Sequence, residues 1–215
     1  MNAFWQRFAA LITPGVRTLL VLLAGVYVAA VIGDLTHSYD LKSQLAASAP
    51  AFWHGQIWRV VSYALLPNGI LDFLMNGFAL VLLGAQLERH WSRGQLWIFC
   101  AIAAAGAGLT HIFLSSLPMV GAAPVMFGLL IAWAFECGHQ PAQFPLFGEM
   151  TVRQMVLIFM LVSLAIMFFT AGLARTAVMA AGGFTGWLYL WLRHKWLMSR
   201  SGRAVESSRI NRLEL

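Results

Sequence analysis

Residues 155–192 read MVLIFMLVSLAIMFFTAGLARTAVMAAGGFTGWLYLWL, with Arg175 the one charged residue in the run. Around Arg175 the run divides into two apolar stretches, Met155–Leu173 and Thr176–Leu192. Each approaches the roughly 20 residues a helix needs to cross about 30 Å of hydrocarbon. A gap this short between them requires a tight hairpin of two helices. The stretches lack the period-2 alternation of a membrane barrel, and a helix satisfies its own backbone polar groups inside lipid.

Four more stretches of this kind lie upstream: Thr18–Gly33, Ile70–Leu87, Leu96–Phe113 and Val120–Phe135. The first competes with a signal peptide, but Ala29-Ala30-Val31 matches a cleavage region only loosely and five further apolar runs follow. Composition agrees. Of 215 residues, 60% are apolar and 10% charged, against about 25% charged in an average soluble domain. A soluble monomer of this size could not bury that much apolar surface, and a disordered chain needs the opposite balance. Two cysteines, Cys100 and Cys137, exclude a disulfide scaffold. The expected fold is all-α: a six-transmembrane-helix bundle over residues 18–192, a cytoplasmic N-terminal segment over 1–17 and a basic cytoplasmic tail over 193–215.

The net charge of +6 does not point to nucleic acid, because the basic residues sit at segment ends and in the tail. With the N-terminus inside, 11 Lys and Arg fall on the inner side and 3 (Lys42, Arg59 and Arg175) on the outer side. That asymmetry orients the chain with both ends in the cytoplasm. The tail would be drawn to an anionic leaflet, making membrane lipids its first partner. The outer region Asp34–Gly69 carries Phe52, Trp53, Trp58 and Pro67, and reads either as an amphipathic stretch in the interface or as an anchored connector. The inner region Cys137–Arg153 reads as a turn-rich connector.

Ionisable residues within a span are functional candidates, because exposing them to lipid is costly. Asp72 and Asn76, four apart, share a helix face directed into the bundle. Glu88 at the inner end of its span can accept hydrogen bonds from the backbone of a neighbouring segment. His111, near the outer end of the third stretch, reads either as an interfacial histidine or as a pocket residue. Small residues in the third, fourth and sixth stretches allow close helix packing, and Gly182-x-x-x-Gly186 is one such pattern. No Cys, His, Asp or Glu spacing suits a metal, and no nucleotide or hydrolase fingerprint occurs, so neither metal nor cofactor is expected.

Several of these stretches together resemble the rhomboid intramembrane serine proteases. They are Trp58-Arg59, Asp72-Phe-Leu-Met-Asn76 and Gly84-Ala-Gln-Leu-Glu88; then Gly121-Ala-Ala-Pro-Val-Met-Phe-Gly128, similar to the family's Gly-x-Ser-Gly-x-x-x-Gly helix; and Met179-Ala-Ala-Gly-Gly-Phe-Thr-Gly186, similar to its His-x-x-Gly-x-x-x-Gly helix. The resemblance covers roughly residues 50–195 and implies six crossings with a serine nucleophile in the fourth helix and a histidine base in the sixth. Those positions hold Ala123 and Met179 here. The family's His-x-x-x-Asn in the second helix has Asp72 in the histidine position and retains Asn76, and Pro124 replaces the glycine after the nucleophile. The packing glycines Gly121, Gly128, Gly182 and Gly186 remain.

Alanine has no nucleophilic atom and methionine accepts no proton at neutral pH, while serine acyl transfer needs a nucleophile and a base in hydrogen-bond reach. An ionised Asp72 would also oppose a developing oxyanion. The expectation is therefore a catalytically inactive member, a pseudoprotease of a bacterial inner membrane, that binds transmembrane segments of client proteins. One alternative is a serine endopeptidase using Ser62, Ser115 or Ser116 with His54 or His111. The other is a carrier of ions or small solutes.

Overall fold

The computed structural model describes residues 12–37, 39–144 and 148–213, with side chains described outside 142–149, 197 and 199–213. Helix α1 spans Pro14–Thr36 and starts on a proline, whose missing N–H belongs to the first turn and costs nothing there. It begins four residues before the expected span; residues 1–11 lie outside the described residues. Between α1 and the next long helix come three short helices, α2 (Leu41–Leu45), α3 (Ala49–Trp53) and α4 (Arg59–Ser62). Asp40 caps α2 by accepting from the Ser43 N–H, and that bond holds its carboxyl below the usual range. The segment is tied down by an antiparallel bridge between Ala47 and Met119 and by the Tyr63 hydroxyl donating to the Ala104 carbonyl at 3.0 Å.

Helix α5 runs Ile70–Glu88 with a π-helical turn at Leu80–Gly84. Helix α6, Arg93–Leu114, opens with a capping box in which Ser92 and Gln95 satisfy each other's backbone N–H. Helix α7 is Ala123–Glu136. Its 14 residues make about 21 Å of helix, short of the span expected over Val120–Phe135. Gly121 at φ +107° and the proline at the second helical position keep the preceding residues out of the helix. The inner connector is more regular than expected: β1 (Pro141–Phe144) pairs antiparallel with β2 (Gly148–Thr151), with Pro141 opposite Thr151. The pairing lets the strands satisfy each other's backbone groups.

Helix α8 covers Val152–Leu213 and is broken at Gly172 (φ 81°, ψ 174°). The break reverses the chain. Val152 and Arg153 donate backbone N–H groups to Gln140 and Gly138, just past the end of α7, and Arg193 lies 3.9 Å from Glu136 at that same end. Gly182, between them, meets Pro124 at the start of α7. The first limb of α8 thus runs antiparallel to α7 and the second limb parallel to it. Past Arg193 the second limb continues as helix to Leu213. Among the described residues, four helical stretches are long and apolar enough to cross a membrane: Pro14–Thr36, Ile70–Glu88, Arg93–Leu114 and Val152–Trp196.

Two contacts set the bundle. A Cβ added at Gly182 would stand 2.5 Å from the Pro124 carbonyl oxygen, and one at Gly186 would stand 3.3 Å from the Gly128 Cα and 2.8 Å from Phe99. Helices α7 and α8 therefore approach backbone to backbone, as glycine allows. At the C-terminal end of α5, the Glu88 carboxylate accepts from the Thr13 hydroxyl, from the Gly15 N–H at 2.8 Å and from the Val16 N–H at 3.0 Å. One side chain of α5 thereby caps the open first turn of α1. A second clamp joins the start of α6, the end of α7 and the second limb of α8. Glu136 accepts from Trp91 Nε1 at 2.7 Å, and Arg193 lies over the Trp91 ring while donating to Gln95 at 3.2 Å.

Candidate functional site

The sequence-derived site residues gather around the start of α7. Gly121 adopts a backbone conformation that favours glycine, and its N–H donates to the Tyr63 carbonyl at 3.1 Å. Its role is thus conformational as much as packing. Ala123 is the first helical residue, half-buried, and Pro124 follows it. The N–H that proline lacks would have been an unpaired first-turn donor, so the substitution is tolerated structurally while removing a potential anion donor.

Asn76 is buried, at 4% exposure, and donates from Nδ2 to Asp72 Oδ1 at 2.9 Å. Asp72 Oδ2 accepts from the Asn68 N–H at 2.9 Å and lies 3.3 Å from where a Gly121 Cβ would stand. The shared face of Asp72 and Asn76 is therefore turned to the chain entering α7. Met179 stands one turn before Gly182 on the second limb of α8. Since Gly182 meets Pro124 and Gly186 meets Gly128, that register puts Met179 level with Gly121. A methyl and a thioether thus flank the start of α7, and neither can add to a carbonyl or take a proton.

Beside Ala123 a cavity of about 870 Å³ opens between α5 and the first limb of α8. Ala123 and Asn76 line it together with Phe78, Leu82, Phe127 and Phe159. Four methionines, Met75, Met126, Met150 and Met155, complete much of the wall. Asn76 is its one polar lining side chain; Asp72 stands one turn beyond, and Met179 is not part of the wall. The methionines were missed in the sequence because each reads locally as lipid-facing or core. Only the convergence of α5, α7, β2 and α8 places them on one surface.

The alternative nucleophiles do not assemble. Ser62 Oγ donates to the Leu45 carbonyl at 3.1 Å, Ser115 Oγ accepts from the Leu117 N–H at 3.2 Å, and His54 Nδ1 meets the Pro50 carbonyl. His111 is buried at 7% exposure, with Nε2 2.7 Å from the Leu117 carbonyl, so it pins the loop after α6. Among the described residues no serine hydroxyl is hydrogen-bonded to a histidine, and no group of three or more His, Cys, Asp or Glu could hold a metal ion.

The family model described as Rhomboid domain matches residues 54–196, which spans α4 to the second limb of α8. No curated protein matches the chain.

Proposed function

The chain belongs to the rhomboid family, and from that premise we propose a non-catalytic member that holds a transmembrane segment of a client protein in the groove between α5 and the first limb of α8. The observation that carries this reading is the groove itself: about 870 Å³, lined almost wholly by apolar side chains, with Ala123 in its wall where the resemblance implies a nucleophile. A helix moved from lipid into such a groove gains packing contacts rather than hydrophobic burial. The four methionines favour this use, because unbranched, polarisable side chains adapt to clients of differing shape. The same groove in an enzyme would deliver a peptide bond to a serine. Here it would deliver it to a methyl group, with Met179 nearby and no base.

The proposal includes six crossings: α1, α5, α6, the short α7 and the two limbs of α8, with both ends in the cytoplasm of a bacterial inner membrane. The 11-to-3 distribution of Lys and Arg supports that orientation. With Cys100 and Cys137 replaced, a cysteine at position 42 should react with an impermeant maleimide from outside. One at position 203 should react only after the membrane is opened, and labelling of 203 in sealed cells would overturn the orientation.

Activity provides the direct test. The purified protein in lipid should leave intact a transmembrane substrate that an active rhomboid cleaves, and should not react with a fluorophosphonate probe. Ala123→Ser should behave the same, because residue 179 still offers no base. Cleavage lost on changing Ser62, Ser115 or Ser116 would replace this reading by the endopeptidase alternative.

A further inference from the structure

The groove is apolar along its length, yet its outer rim carries a carboxylate without a counter-charge. Glu88 has Arg93 Nε at 3.9 Å, and Glu136 has Arg193 Nη1 at 3.9 Å. Among the described residues no Lys or Arg lies within ion-pair distance of Asp72. Its hydrogen-bond partners, the Asn68 N–H and the Asn76 amide, are neutral and leave acceptor capacity on both oxygens. The first turn of α5 favours an acid at this position, but does not cancel its charge.

We propose that the client is a single transmembrane helix bearing Lys or Arg at its outer end, with that cation seated on Asp72. This inference rests on the docking reading above and specifies its partner. The placement follows from the helix geometry. Asn76 lines the groove, and Asp72 lies one turn toward the start of α5 on the same face, so a client packed along the groove presents its outer end to Asp72. An unanswered charge beside an apolar wall acts through a lower dielectric than a wet surface does, so it attracts a cation more strongly there. The Lys and Arg stems reach from an apolar helix face to such a rim while their methylenes stay in contact with the wall. The same carboxylate repels a client that carries an acid at that level, which provides selection by rejection as well as by attraction.

The test uses the full chain in phosphatidylcholine nanodiscs, with a photoreactive residue in place of Phe127 on the groove wall. The probes are three Leu/Ala helices of about 22 residues, identical except for Lys, Gln or Glu at the outer flank. The Lys probe should crosslink about fivefold more than the Gln probe, and the Glu probe least. Asp72→Asn, which keeps an acceptor for the Asn68 N–H, should make the three equal, and Asp72→Lys should make the Glu probe the best. Thermal unfolding of each variant reports that the fold is kept. Equal yields from the three probes on the unchanged chain, or a Lys preference that survives Asp72→Asn, would overturn the charge inference and leave docking standing. Absence of crosslinking by every probe would remove docking itself, and this inference with it.

Discussion

Replacing Gly182 by Leu is expected to abolish the folded bundle, leaving little monodisperse protein after extraction. A Cβ at this position would lie 2.5 Å from the Pro124 carbonyl oxygen, 2.9 Å from its carbon and 3.0 Å from its Cβ. The obstacle is backbone at the start of a proline-anchored helix, so no side-chain rotation relieves it. Relief requires α7 and α8 to separate, which also breaks the Gly128–Gly186 approach one turn below. Overpacking alone costs about 1–3 kcal/mol, and the lost helix contacts add to it. Gly186→Leu should be milder, because its nearest obstacle is the ring edge of Phe99 at 2.8 Å. Gly25→Leu is the control: nothing stands within 4 Å of its Cβ position, and its melting temperature should match the parent's. Equal melting temperatures for the Gly182 and Gly25 variants would mean that α8 does not pack on α7 in this register.

The second large effect is expected at Glu88. Its side chain is 6% exposed and accepts from the Thr13 hydroxyl and from the Gly15 and Val16 N–H groups. Glu88→Ala leaves two backbone donors of α1 without partners at a partly buried site. An unsatisfied buried group costs about 1–3 kcal/mol, so a loss of about 2–4 kcal/mol is expected. Glu88→Gln retains one acceptor oxygen and should recover part of that loss. Denaturation in detergent, with limited proteolysis near residue 14, checks both points. Release of α1 should precede unfolding of the rest in Glu88→Ala, because this carboxylate is the polar tie between α1 and α5. Unfolding of the whole chain in one step at the parent's midpoint would show that apolar packing alone holds α1.

Both effects were partly legible before any coordinates. Glu88 sits at the end of an apolar span, where a carboxylate needs donors and a neighbouring helix start provides them. Gly182 and Gly186 stand four apart, hence on one face. Neither reading identified the partner, Pro14–Val16 in the one case and Pro124–Gly128 in the other. The helical hairpin across Gly172 was legible as well, because two apolar runs separated by a few residues have no other low-energy arrangement in lipid. The length of α7 was not. Hydropathy over Val120–Phe135 counts Val120, Gly121 and Ala122 as part of the span, and is blind to a glycine held at φ +107° by a carbonyl from Tyr63, far away in the chain.

The amino-acid sequence by itself determined that this chain is a helical membrane protein with the rhomboid pattern, and that Ala123 and Met179 stand where the resemblance implies a nucleophile and a base. Those properties are local: hydrocarbon imposes helix on any long apolar run, and a missing hydroxyl or imidazole is missing in every conformation. Only the tertiary structure decided that Ala123 lines a methionine-rich groove, that His111 is buried, that Glu136, Trp91 and Arg193 meet at the end of α7, and that Asp72 faces Gly121 with no Lys or Arg among the described residues within ion-pair distance. Each depends on which helix lies against which and in what register. That is set by close packing between residues far apart in the chain, to which no periodicity within one segment corresponds.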